Sequence, residues 1–160
     1  MNAHESHLQF QLNILMKEID LIDNTIGRLD ELALRNRNWG TTLWAGLVAV
    51  ILQQELANNL LLATVVIPLL FWLIDVQWKA ALLRCSRRQA AISDFLNSPA
   101  LQDSFETGQV SSIKLLDPTG RRLTLEKSKW HYLSEALLYK DTSIFYPVQI
   151  VGSLLLYLVR

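Results

Sequence analysis

The chain has one cysteine, Cys85, among 160 residues. A single thiol excludes an internal disulfide and any zinc knuckle built from cysteine pairs. Net charge is zero, with 15 basic and 15 acidic residues, so no overall basic field points to nucleic acid. Charge of either sign is scarce, at 19% of the chain against about 25% in soluble domains, while 51% is hydrophobic. The N-terminus, MNAHESHLQFQLNILMKEID, lacks the basic start, compact apolar core and small-residue cleavage site of a secretory signal peptide. Glycine-rich phosphate loops, nucleophile elbows and paired-carboxylate motifs are missing as well. His4 and His7 have no third ligand nearby, and His131 sits between Trp130 and Tyr132, a setting that suits packing or an interface better than catalysis. The expectation is a protein that is not an enzyme, with no catalytic residue, cofactor or metal site.

The missing charges form a pattern. Lys, Arg, Asp and Glu are absent from 38–54, 56–74 and 142–159, windows of 17, 19 and 18 residues. A helix of about 20 residues, with a working range of about 17–25, crosses ~30 Å of hydrocarbon. Three spans are therefore expected: 39–54 and 57–76 as a transmembrane helical hairpin within 39–78, and 142–160 as a third transmembrane or membrane-embedded helix. Leu, Ile, Phe and Val each favour insertion by about 0.3–0.6 kcal/mol, so the eleven between 60 and 74 give the second span roughly 3–7 kcal/mol. The third has ten such residues and the first only six. Arg28, Arg35 and Arg37 precede the hairpin and Lys79, Arg84, Arg87 and Arg88 follow it, while the turn between has no basic residue. The positive-inside rule puts both ends of the hairpin in the cytoplasm.

Asp75 closes the second span. As an interfacial acid it can reach water and pair with Lys79 one turn on; the alternative makes it a pore-lining or proton-accepting group. Trp39 and Trp44, then Trp72 and Trp78, read as aromatic belts, and Pro68 frees a backbone carbonyl within its span. Thr42, Gly46, Ala49 and Gln53 follow one another at four, three and four residues, and Gln149 and Ser153 are one turn apart. This polar stripe is read either as static packing of the spans or as a route for ions or water once subunits rearrange.

Outside the spans, Leu12, Leu15, Ile19, Ile22, Ile26 and Leu29 continue a four-three alternation that starts at Leu8. Residues 1–38 are thus expected to form a cytoplasmic amphipathic helix, coiled-coil-like, whose seam associates with another copy or a soluble partner, or packs on the chain's own helices. Residues 79–141 read as a cytoplasmic helix-hairpin-helix insert. Its first helix breaks at 97–99, and Asp117-Pro118-Thr119-Gly120 has type I turn preferences between strands at 111–116 and 121–126. Lys114, Arg121, Arg122, Lys127 and Lys129 make a basic surface for anionic lipid or a small anionic ligand, or simply a solvated face. The expected fold class is mainly α and integral to the membrane: a long N-terminal amphipathic helix, a transmembrane hairpin, a small cytoplasmic α+β insert with one β-hairpin, and a C-terminal transmembrane helix.

The run RNRNWGTTLWAGLVAVIL with Trp39, then IPLLFWLIDVQW with Ile67-Pro68, Phe71-Trp72 and Asp75, then SIFYPVQIVGSLLLYL with Phe145-Tyr146, resembles a group of small bacterial three-span membrane proteins. It departs from them after Asp75, where the group favours tyrosines and a Glu-Arg pair and this chain has Val76-Gln77-Trp78 and Ser86-Arg87-Arg88. The group is similar to membrane effectors of anti-phage systems. The resemblance implies a small oligomeric protein of the bacterial inner membrane that permeabilises or perturbs the bilayer on a cytoplasmic signal. The alternative is a membrane anchor or assembly subunit that holds a soluble partner through its N-terminal helix.

Overall fold

The computed structural model describes residues 3–54, 59–110, 113, 115–119 and 129–159, without the side chains of 3–5 and 129. Among them are six helices: α1 (Ala3–Gln53), α2 (Asn59–Ala63), α3 (Val66–Leu96), α4 (Pro99–Thr107), α5 (Lys129–Leu137) and α6 (Lys140–Val159). The length of α1 follows from composition, because the first proline in the chain is Pro68 and nothing earlier removes a helical N–H. Pro68 explains the next break. Its ring conflicts with the carbonyl four residues back, which is Thr64, and α2 ends there in tighter turns from Leu61 O to Thr64 N and from Leu62 O to Val65 N. α3 ends at Leu96, before Ser98 and Pro99 open α4, and Gly108 closes α4 in the left-handed region at φ 71°.

The chain divides into two compact units, Met1–Arg28 with Ala81–Lys129, and Leu29–Ala80 with Trp130–Arg160. In the first, α1 contributes Leu8, Leu15 and Ile22, one heptad apart and all buried, and α3 contributes Cys85, Ile92 and Phe95. The expected seam is thus covered by the chain's own residues, with Leu12 and Ile19 half-buried beside it. Glu18 and Arg88 lie within this apolar packing. Arg88 Nε donates to Glu18 Oε1 at 2.9 Å and its Nη2 to Oε2 at 3.0 Å, a two-pronged pair with both side chains at 3% exposure or less.

Glu18 also corrects the expected β-hairpin. The backbone N–H of Leu116 donates to Glu18 Oε2 and that of Asp117 to Oε1, at 3.2 and 2.9 Å. Those amides are taken by a carboxylate, and Leu116 is left-handed at φ 61°, so no ladder forms there. No residue among those described is in a strand. The turn survives at Pro118 and Thr119, while the second expected strand, 121–126, lies outside the described residues. The insert is therefore helical and irregular where it is described.

Among the described residues, the stretches Asn59–Leu96 and Lys140–Val159 are long and apolar enough to cross a membrane, and the expected span at 39–54 is not among them. The end of α1, diluted by Thr41, Thr42, Gly40 and Gly46, does not reach that apolarity. It packs along the other two: Gly40 against Phe71 of α3, and Trp44 beside Gly152 of α6. Successive contacts from Tyr146 through Gln149 to Ser153 meet Asn36, Thr41 and Trp44 in the same order, so α6 runs parallel to α1. The α2–α3 stretch runs antiparallel to both, with Phe71 at the Asn36 end and Thr64 at the Ser153 end.

Candidate functional site

The polar residues of the second unit form a seam between its helices. At one end Arg37 Nε donates to Asp75 Oδ2 at 2.9 Å, with the Asp75 side chain 1% exposed. Asn36 Nδ2 reaches the Phe71 carbonyl at 3.0 Å and the Tyr146 hydroxyl at 3.3 Å. Trp72 stacks on Tyr146, and Phe145 meets it edge-on. One turn further, Gln149 Nε2 donates to Thr41 Oγ1 at 2.9 Å. At the far end Ser153 Oγ accepts from Trp44 Nε1 at 2.8 Å, and Thr64 Oγ1 lies 2.8 Å from it. Within an apolar surround each of these groups needs such a partner. Among the described residues, three buried side-chain atoms find none: Trp72 Nε1, Asp75 Oδ1 and Gln149 Oε1.

This geometry rearranges the residues singled out from the sequence. Asp75 is paired, but with Arg37 across the helix interface and not with Lys79, whose ammonium sits 4.0 Å from the Tyr139 ring centre. The polar stripe is split. Gln149 and Ser153 point into the seam, whereas Thr42, Gly46, Ala49 and Gln53 are all exposed on α1. Thr42 turns its hydroxyl back to the Asn38 carbonyl at 2.9 Å, and a Cβ on Gly46 would meet nothing within 4 Å. In the association seam, Leu15, Ile22 and Leu29 are buried and Leu12, Ile19 and Ile26 are half-buried. Of the basic set, Lys114, Arg121, Arg122 and Lys127 lie outside the described residues, and Lys129 is described only as the start of α5.

Three features of the structure are not plain in the sequence. Asn36 and Arg37 stand just before a charge-free window, where Arg37 reads only as positive charge and Asn36 carries no signal. Tyr146, which the resemblance places at the start of the third span, is fully buried. Glu18 was passed over although it lies three residues after Leu15 and four before Ile22, on the apolar face itself; that position was the available signal. Cys85 is buried, and burial pushes its thiol up from the ordinary range, which disfavours the nucleophilic thiolate. Among the described residues no group of His, Cys, Asp and Glu could hold a metal ion. No known protein family, characterised protein or solved structure matches the chain.

Proposed function

We propose that this chain is a bacterial inner-membrane anchor, whose second unit sits in the bilayer and holds the small helical first unit on the cytoplasmic side for a soluble partner. The observation that carries the reading is the inverted placement of polar and apolar side chains. Only 28% and 22% of the two apolar windows are buried, the opposite of a core helix in a soluble protein. Leu69, Leu70, Leu73, Ile74, Val148, Val151, Leu155 and Leu158 are exposed, while Gln149, Ser153 and Thr64 are buried. A monomer in water does not keep an apolar belt of that extent bare; hydrocarbon accepts it and forces the polar groups inward. The position of Lys and Arg supports a cytoplasmic first unit. Alkaline carbonate extraction of cell membranes tests the anchor: the chain should remain in the pellet, and release into the supernatant would overturn it.

A second reading, an oligomeric effector that permeabilises the membrane, is favoured by the outward turn of Thr42, Gly46, Ala49 and Gln53. Small residues on an open helix face allow a second copy to approach closely. The two readings diverge on expression. A static anchor leaves the membrane potential unchanged. An effector collapses it, and Gln53→Leu or Gly46→Leu should then restore a normal dye reading.

A further inference from the structure

A groove of about 600 Å³ lies between α5 and the middle of α3, within the range of about 300–1,000 Å³ typical of small-molecule sites. Leu73, Val76, Leu133 and Leu137 supply apolar lining, and Gln77, His131 and Ser134 supply the polar groups. The groove is continuous with a track on the outside of α3. Val66, Leu69, Leu70 and Leu73 are all exposed and share one face at helical spacing, and Gln77 follows one turn after Leu73. The eleven steps from Val66 to Gln77 rise roughly 16 Å along the helix. One leaflet of a bilayer contributes about 15 Å, half of its ~30 Å of hydrocarbon. The track is therefore one leaflet long, and the polar groups begin where the hydrocarbon stops.

We infer that this groove is a binding site for a phospholipid of the cytoplasmic leaflet. One acyl chain lies along Val66, Leu69 and Leu73, its upper part enters the groove against Val76, Leu133 and Leu137, and the phosphodiester meets Gln77 and His131. The Gln77 amide and the His131 ring are donors, and phosphodiester oxygens are acceptors. A soluble partner would need no apolar track at this depth. The proposal rests on the membrane reading given above and adds a ligand to it.

The test uses the full chain in vesicles of phosphatidylethanolamine and phosphatidylglycerol, doped with a phospholipid that carries a photoactivatable diazirine near the glycerol end of one acyl chain. After irradiation, adducts on peptides holding 73–77 and 130–137 should exceed those on the α6 face at Val148, Val151 and Leu155 by roughly fivefold, the ratio that about 1 kcal/mol of preference gives. Leu133→Trp, which narrows the groove, should reduce that excess. Gln77 is exposed, so Gln77→Leu leaves the fold intact and should also reduce it. Equal labelling of both faces, or an excess that persists in both variants, would overturn the site. Release by carbonate with no adduct anywhere is a different result, and would overturn the membrane reading itself.

Discussion

At Glu18 a carboxylate is sealed among leucines and isoleucines, and four donors satisfy it: two from Arg88 and the backbone amides of Leu116 and Asp117. Two buried charges together cost much of what their attraction returns, but one alone is far worse. Arg88→Met should therefore destabilise the first unit by about 3–5 kcal/mol. Adding Glu18→Met should recover part of the loss, since the Glu18 carboxylate is then no longer buried without Arg88. Thermal unfolding of the purified protein in detergent would check this, and a double variant no more stable than Arg88→Met would show that the pair is not the cause. The contrast with Arg35 and Glu31 is one of burial: that pair has the same 2.9 Å separation, but its side chains are more than 60% exposed. Such a surface pair contributes about 0–1 kcal/mol.

Among the elements, α1 shows how one helix can carry two opposite faces. A Cβ on Gly40 would lie 2.9 Å from Phe71 Cγ, closer than carbon atoms pack, whereas one on Gly46 would meet nothing. Gly40→Val should force α1 and α3 apart at a cost of about 1–3 kcal/mol, typical of overpacking. Gly46→Val should leave the monomer as stable as before. If it also leaves the size of the detergent-solubilised particle unchanged, the exposed stripe is not a contact between copies; a shift to a smaller particle would support the oligomeric reading. α6 carries the complementary case. Gln149→Leu loses a hydrogen bond to Thr41 worth about 0.6–2 kcal/mol, so a static bundle should survive it, as solubilised yield and melting temperature would report.

For the whole molecule, topology is the quantity on which both functional readings depend. With Cys85 replaced by Ser, Asn59→Cys should react with an impermeant maleimide added to intact cells, and Asp103→Cys, exposed on α4, should react only after lysis. Labelling of Asp103→Cys in intact cells would reverse the orientation and remove the cytoplasmic unit from any intracellular signal or partner. Much of this layout is legible from charge alone. Windows without Lys, Arg, Asp or Glu located α2 with the first part of α3, and α6; Asn97, Ser98 and Pro99 located the gap before α4. The sequence suggests a β-hairpin because a turn motif specifies a reversal and not what the flanking amides bind, and here Glu18, about a hundred residues away, binds them.

What the sequence alone determines is the part of the fold that depends on local chemistry: helical periodicity, breaks at Pro68 and Pro99, and the apolarity that makes two stretches long enough for a bilayer. These depend on backbone geometry and on transfer of side chains out of water, which neighbours in the chain suffice to set. Tertiary structure decided the pairings. Asp75 could have met Lys79 one turn away, but the crossing of α1 brings Arg37 to 2.9 Å. Gln149 and Gln53 look alike in their windows, yet one is turned toward Thr41 and the other away from the helices. Which polar group finds which partner depends on the rotation and register of helices distant in sequence, and only their packing sets those.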